Sequence, residues 1–257
     1  MSEQRLQSSS AALRPAASPA VSRSQPVFDT LGKLIVPIHR DGHKFLAISL
    51  AVTLLGFLIW TTLGWIAAAV TAFIAFFFRD PSRVTPLRDG LIVSAADGEV
   101  VAVEPAEPPP ELAMEGGRRV RVSVYLSPFD VHVNRAPIAG RIVRSVYVPG
   151  AFLNATLDKA SDENERRGLV IEPSSNAEIA VVQIAGLISR RIVTFAGEGD
   201  TVGVGQRFGL IRFGSRVDVY LPPGQSALVA VGQRAVAGET VLCDLKSEEP
   251  EREARRS

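Results

Sequence analysis

The stretch IRFGSRVDVYLP, residues 211–222, indicates the fold class of the chain. Apolar and polar residues alternate from Val217 to Leu221, which predicts a half-buried strand. Gly214 and Ser215 interrupt this pattern, and a Gly-Ser pair by itself is most simply a bulge or a tight bend. The second interpretation is a glycine in a strained conformation beside a hydroxyl nucleophile. The rest of the chain has to decide between the two.

Short β-branched runs punctuated by Gly and Pro surround this stretch from about Leu91 onward. They predict a mainly β domain over residues 84–245, built as a multi-stranded sandwich or barrel. Gly-Gln and Gly-Asp/Glu-Thr-Val punctuation recurs at 199–206 and 231–242, as in flattened carrier modules of the barrel-sandwich hybrid type. No Lys occupies the turn between these halves, so this likeness concerns the architecture of the C-terminal part and not a carrier function.

The run from Phe45 to Phe78 contains no charged residue. One spanning helix needs roughly 20 apolar residues and two spans need about twice that number, so the run falls between the two cases. We predict a membrane-associated helical hairpin over residues 31–83, with a turn near Gly64 and with Trp60 and Trp65 as interfacial anchors. A single long tilted helix is the alternative.

Positive charge flanks the apolar run on both sides. Arg40 and Lys44 precede it, and Arg79 and Arg83 follow it. A hairpin with both ends in the cytoplasm requires this distribution, so we expect the protein at the cytoplasmic face of the cell membrane. A hairpin buried in a soluble core is disfavoured, because so long an uncharged run would need a much larger domain around it.

Composition excludes several classes of function. The 28 Lys and Arg residues nearly balance the 27 Asp and Glu residues, whereas a nucleic-acid-binding domain carries a basic excess. Cys243 is the single cysteine and there are 3 histidines, so we predict neither a disulfide framework nor a metal site. Residues 1–30 and 246–257 have the composition of disordered tails.

Seven motifs occur in order between about Ile35 and Leu245, and each alone is weak. They are FFFRDP, SAADGEVV, VYLSPFDVHVNRAPIAG, NATLDKASDENER, VVQIAGLISRRIV, EGDTVGVGQRFGLIRFGSRVDVYLP and GETVL. Together they resemble the short, membrane-anchored form of the phosphatidylserine decarboxylase proenzymes, and their collinear order makes the resemblance very specific.

The resemblance implies a pyruvoyl-dependent lyase that cuts itself between Gly214 and Ser215. Ser215 would become a pyruvoyl group, the covalent cofactor, on the smaller chain. This group would form a Schiff base with the amine of phosphatidylserine in the membrane, and loss of carbon dioxide, reprotonation and hydrolysis would release phosphatidylethanolamine. The two fragments would stay associated as large and small subunits; the sequence leaves the oligomeric state open.

The resemblance also implies catalytic roles for His132 and Asp97. The family places a functional histidine at the position of His132 and uses the Asp of the ADG turn, here Asp97, to orient the base during self-cleavage. Longer members have a second histidine where this chain has Arg135. Either His132 therefore serves both cleavage and decarboxylation, or Asp97 acts more directly.

Two other hypotheses remain at this point. A membrane-anchored adaptor with a carrier-like β sandwich would be no enzyme, but such adaptors are expected to carry long coiled-coil heptads, and none is found. A different serine lipid, such as an ether lipid, would keep the chemistry. Arg135, Arg212, Arg216 and the pair Arg190-Arg191 lie near the motifs, but the sequence assigns the substrate phosphate to none of them.

Overall fold

The structure is a computed structural model that describes residues 36–151, 163–175, 177–186, 191–212, 214–250, 252 and 254–255. The chain divides into the units Met1–Val36 and Pro37–Ser257, and the following account concerns the second. The tail predicted over residues 1–30 lies outside the described residues.

Two α-helices, α1 (His43–Ile59) and α2 (Thr61–Phe77), pack against each other as a hairpin. The turn between them lies at Trp60, whose backbone is extended at φ −160° and ψ 126°. The predicted turn near Gly64 is therefore misplaced, because Gly64 lies inside α2. A Cβ on Gly56 would lie 3.2 Å from the Gly64 Cα, so these glycines allow the two backbones to approach closely.

The hairpin turns its small and polar side chains inward. Ser49, Thr53 and Gly56 of α1 are buried, and the Thr53 hydroxyl lies 2.9 Å from the hydroxyl of Thr71. Most of the large apolar side chains are exposed instead, among them Leu58, at 84%. Pairs of helices in lipid show this arrangement, whereas a hairpin in a soluble core would bury its leucines and phenylalanines. By length and composition, the helix from Arg40 to Ile59 is suited to cross a membrane.

Backbone hydrogen bonds join the two ends of the hairpin. The His39 N–H donates to the carbonyl of Phe78 at 2.8 Å, and the Asp80 N–H donates to the carbonyl of Pro37 at 2.7 Å. The chain thus enters and leaves the hairpin at one point.

The rest of the described chain is mainly β, as predicted. Its strands are β1 (Leu91–Val93), β2 (Gly98–Ala106), β3 (Arg119–Leu126), β4 (Val133–Arg135), β5 (Gly140–Val148), β6 (Arg166–Glu172), β7 (Ile179–Ala185), β8 (Ile192–Thr194), β9 (Thr201–Val202), β10 (Arg207–Ile211), β11 (Ser215–Tyr220), β12 (Arg234–Ala235) and β13 (Val241–Asp244).

These strands form one large sheet and two small ones. The eight-stranded sheet has the order β12-β2-β3-β11-β7-β6-β5-β9, the three-stranded sheet has the order β4-β10-β8, and β1 pairs with β13. The main apolar core contains Val217 and Val219 of the large sheet together with Ile92 and Phe208 of the small sheets. A second, smaller cluster around Tyr220 covers the opposite face of the large sheet.

This second cluster corrects the prediction of a half-buried strand at β11. All six residues of β11 are buried. Arg216 and Asp218 face away from the main core and are buried as an ion pair, with Nε 2.9 Å from Oδ1. Mutual neutralisation lets these charges lie in the interior, although their alternation with valines is typical of a solvent-exposed face.

The turn at Ala96-Asp97-Gly98 is not a hairpin between paired strands. β1 pairs with β13 and β2 pairs with β3, so this turn connects two sheets.

The late internal repetition is a repeated turn. The side-chain oxygens of Gln206 and Gln233 accept hydrogen bonds from the backbone N–H groups of Gly203 and Ala230, at 2.8 and 3.0 Å.

Candidate active site

Ser215 lies at the centre of the large sheet. It is the first residue of β11, and its neighbours are Leu126 on β3 and Ala185 on β7. The side chain is completely buried, and its hydroxyl makes no hydrogen bond within the part of the chain that the structure describes. A buried hydroxyl without a partner costs roughly 1–3 kcal/mol. The Ser123 hydroxyl on β3 also lacks a partner among the described residues, so Ser215 is distinguished by the left-handed glycine that precedes it.

Gly214 has a left-handed backbone conformation, with φ +60°. A Cβ at this position would meet no atom within 4 Å, so lack of space does not explain the glycine. The backbone conformation does, because residues with a side chain rarely adopt it. The peptide bond between Gly214 and Ser215 therefore joins an unusual backbone turn to a buried, unpaired hydroxyl.

His132 is next to this peptide bond. Its Nε2 accepts a long hydrogen bond, 3.4 Å, from the backbone N–H of Gly214, and its Nδ1 lies 2.9 Å from the carbonyl oxygen of Asp130. Since Nε2 accepts, the ring proton is on Nδ1, which donates to Asp130. The imidazole thus presents a lone pair towards the Gly-Ser bond.

The loop before β4 holds His132 in place. Ser127 donates from its backbone N–H and from its hydroxyl to Asp130 Oδ2, at 2.8 and 2.7 Å. Only 2% of His132 is exposed, and this burial lowers the pKa of the imidazole to about 4, against the opposing effect of its hydrogen bond to Asp130. At neutral pH the ring is uncharged and can accept a proton.

Phe77 covers the imidazole from the side of the hairpin. The ring centroids of Phe77 and His132 are 4.2 Å apart and the planes are inclined by 38°. Phe77 is the last residue of α2 and is 1% exposed. The apolar hairpin therefore forms one wall of the site and contributes to the burial of His132.

Asp97 does not contact His132. Its Oδ1 accepts a hydrogen bond from Arg83 Nη2 at 2.7 Å, while both ring nitrogens of His132 bond elsewhere. Because β2 and β11 flank β3, Asp97 lies two strand spacings from Ser215, roughly 10 Å between backbones. Burial raises the pKa of the Asp97 carboxyl to about 6, although the Arg83 guanidinium acts in the opposite direction.

Arg135 has a structural position. Its Nη2 donates to Asp80 Oδ1 at 3.2 Å and to the carbonyl of Pro81 at 2.9 Å, and its Nη1 donates to the carbonyl of Gly205 at 3.0 Å. The guanidinium ties the segment after α2 to the β domain. Arg135 remains protonated and cannot act as a base at this position.

The structure brings together Gly214, Ser215 and His132 and leaves Asp97 further away, with Arg83. Sequence reasoning missed Phe77 and Arg83. Phe77 falls within FFFRDP, but neighbouring phenylalanines look alike in a sequence, and Arg83 was noted only as a flanking charge.

This arrangement is suited to an intramolecular acyl shift. Ser215 directly follows the Gly214 carbonyl in the chain, and Nε2 of the uncharged His132 imidazole lies 3.4 Å from the Gly214 nitrogen. Within the described residues, no group of three or more His, Cys, Asp or Glu side chains could hold a metal ion.

Comparison with known proteins gives one consistent family. The sequence model described as "Phosphatidylserine decarboxylase" matches residues 70–243. Three curated relatives carry the name phosphatidylserine decarboxylase proenzyme. The protein from Xanthobacter autotrophicus is 55% identical over 90% of this chain and 98% of its own length. The Ruegeria pomeroyi protein is 57% identical over 82% and 96%, and that from Cereibacter sphaeroides is 56% identical over 87% and 97%.

Proposed function

We propose, starting from the fact that this chain belongs to the phosphatidylserine decarboxylase family, that it converts phosphatidylserine to phosphatidylethanolamine at the site around Ser215. One observation carries the assignment to this site. The buried Ser215 hydroxyl has no partner among the described residues and follows a left-handed Gly214 whose N–H contacts His132.

This geometry supports self-cleavage of the peptide bond between Gly214 and Ser215. His132 Nε2 accepts the hydroxyl proton while Ser215 Oγ attacks the Gly214 carbonyl carbon, and the amide becomes an ester as the Ser215 nitrogen takes up a proton. Removal of the Ser215 α-proton then expels the Gly214 carboxylate and leaves dehydroalanine at position 215. Hydrolysis of dehydroalanine releases ammonia and leaves a pyruvoyl group at the start of the smaller chain.

A buried serine with no other hydrogen-bonding role fits a side chain that is converted into a cofactor. A pyruvoyl group at position 215 would supply a ketone for the substrate amine and an electron sink for the pair left when carbon dioxide departs. In this reaction we assign His132 to hold the proton that the α-carbon receives. Phe77 excludes water from that side of the imidazole.

Asp97 is proposed to assist cleavage by holding a proton about two strand spacings from Ser215, and not by orienting His132. Its raised pKa, about 6, lets the carboxyl exchange a proton close to neutral pH. A carboxyl group that is buried although burial disfavours its charged form is a candidate for a functional role.

The two fragments are expected to stay together. β11 begins at Ser215 and lies between β3 and β7, both of which precede the cleavage point. β13, also in the smaller chain, pairs with β1. Separating the fragments would expose these buried strands to water, so we propose that they remain associated as large and small subunits.

The hairpin, within residues 31–83, is proposed to hold the catalytic domain, residues 84–245, at the cytoplasmic face of the cell membrane. Its helices expose apolar side chains, and its two ends meet beside flanking arginines. Each helix has 17 residues and is about 26 Å long, somewhat less than the roughly 30 Å of a bilayer core. A pair that enters and returns on one side satisfies these lengths.

The experiment uses vesicles that contain phosphatidylserine labelled at the serine carboxyl. The purified protein is expected to release labelled carbon dioxide and form phosphatidylethanolamine, whereas Ser215→Ala is expected to release none. Release by Ser215→Ala at the wild-type rate would remove Ser215 from the reaction. Vesicle binding by an inactive wild-type protein would favour the non-enzymatic adaptor.

A further inference from the structure

Three described arginines lie close in sequence to the proposed reacting residues, and the structure distinguishes them. Arg135 donates to Asp80, Pro81 and Gly205, as described above. Arg216 forms a buried pair with Asp218, in which Nη2 lies 3.0 Å from Oδ2. The guanidinium groups of Arg135 and Arg216 therefore have structural partners within the protein. Arg212 is the third of these arginines.

Arg212 has a different environment. Among the described residues it forms no ion pair within 4.0 Å, and its Nε is buried without a hydrogen-bond partner. Its guanidinium carbon lies 5.1 Å from the centroid of the Phe45 ring, at the start of α1. Burial lowers the pKa of Arg212, with Asp41 as the acidic group that acts against this, but an arginine remains cationic at neutral pH.

Arg191 is a cationic neighbour of this guanidinium, and further cations lie at the base of the hairpin. The Arg212 N–H donates to the Arg191 carbonyl at 3.4 Å, and the side chains of Arg191 and Lys44 are exposed. Arg40 is exposed and lies over the ring of Phe195 at 5.7 Å. Lipid phosphates lie at the level where apolar helices give way to charged residues, so the charges here match an anionic head group.

The distance to the reacting residues suits the serine head group. Only Phe213 and Gly214 separate Arg212 from Ser215, so the two Cα atoms are at most about 11 Å apart. In phosphatidylserine, one oxygen and one methylene separate the phosphorus from the α-carbon that loses the carboxylate. A cation at this distance from Ser215 can hold the phosphate while the amine reaches position 215.

We therefore propose, resting on the proposed function, that Arg212 binds the phosphodiester of the lipid substrate, with Arg191 beside it. A guanidinium can donate two parallel hydrogen bonds to the two free phosphate oxygens. Phe45 holds the guanidinium on its other side, and the acyl chains are left to run along the apolar surface of the hairpin.

The test compares two substrates in detergent micelles, phosphatidylserine and a serine O-alkyl ether, which has the amine and carboxylate but no phosphate. Arg212→Gln is expected to lower kcat/KM for phosphatidylserine about 10- to 100-fold, mainly through KM, since a hydrogen bond to a charged group is lost. With the ether as substrate, Arg212→Gln should have the same kcat/KM as the wild-type protein. Arg118→Gln is the control, because Arg118 is exposed and bonds only the Pro105 carbonyl among its described contacts.

The proposal would be overturned if Arg212→Gln lowered kcat/KM equally for both substrates. It would also be overturned if kcat/KM for phosphatidylserine did not change. A loss matched by weaker binding to phosphatidylglycerol vesicles would also overturn it, in favour of general attachment to anionic membranes. If the Arg212→Gln chain does not cleave itself, Arg191→Gln is tested instead. We expect this variant to lower kcat/KM several-fold for phosphatidylserine and to leave kcat/KM for the ether unchanged. Wild-type protein that is inactive on both substrates would instead contradict the proposed function.

Discussion

The ring of Phe77, at the end of the apolar hairpin, lies 4.2 Å from the ring of His132, beside the proposed cleavage point. This contact joins the part of the chain suited to lipid to the part suited to chemistry. It also helps to exclude water from His132, and this burial lowers the pKa of the imidazole and keeps it uncharged.

Replacing Phe77 with leucine should keep this side of the His132 site apolar but make the packing against the imidazole less tight. We expect Phe77→Leu to admit water, to raise the pKa of His132 towards its ordinary value of 6.5 and to reduce decarboxylation several-fold. NMR titration of His132 would measure the first effect. Phe73→Leu is the matched control, since Phe73 contacts Phe77 and Phe129. Equal pKa values in both variants would contradict this role of Phe77.

The low pKa of His132 predicts how self-cleavage depends on pH. In the Asp97→Asn variant, where the carboxyl with a pKa of about 6 no longer titrates, His132 with a pKa of about 4 is unprotonated throughout the neutral range. The residual cleavage rate of this variant should therefore be constant from about pH 6 to pH 8 and fall only as the pH approaches 4. Precursor made by cell-free translation and transferred rapidly to each pH would give these rates. A midpoint near pH 6.5 would indicate a solvated imidazole and refute the buried arrangement.

Asp97→Asn should have opposite effects on self-cleavage, which it should slow, and on stability at alkaline pH, which it should increase. The folded chain raises the pKa of Asp97 from 3.8 to about 6, so its contribution to stability is complete below pH 3.8 and is lost as the pH rises through 6. At pH 8 the ionised group costs about 3 kcal/mol.

In an uncut Ser215→Ala background, Asp97→Asn should therefore increase the free energy of unfolding at pH 8, and the difference should vanish near pH 4. Denaturant titration measures it. With Ser215 present, Asp97→Asn should slow cleavage at least tenfold. Cleavage at the wild-type rate would remove Asp97 from the site.

Gly214→Ala tests the left-handed backbone before Ser215. A Cβ there has free space, so the expected destabilisation is only the conformational cost of φ +60°, about 1–2 kcal/mol. The variant should fold but cleave more slowly, because relaxation to a negative φ moves the carbonyl away from Ser215 Oγ. Electrophoresis over time follows the uncut chain. Wild-type kinetics would show that the left-handed conformation is not needed.

Several features of this fold could be predicted from sequence because they depend on local patterns. The β character of the chain after Leu91 and the two helices could be predicted in this way. The family motifs also pointed to Gly214 and His132, which lie next to each other in the structure. The complete burial of β11 could not be predicted, since Arg216 and Asp218 look solvent-exposed until they are seen to neutralise each other. The contact of Asp97 with Arg83 depends on how the segment after α2 folds back, which no local pattern encodes.

The central claim is that the chain cuts itself at Gly214-Ser215 and makes its cofactor from Ser215. Intact-mass analysis of the purified protein tests it most directly. We predict two chains, residues 1–214 and 215–257, with the smaller one lighter than its unmodified sequence by one ammonia and resistant to Edman degradation. A single chain of 27.5 kDa that persists after incubation with membranes, or a smaller chain that begins with an ordinary serine, would contradict the account.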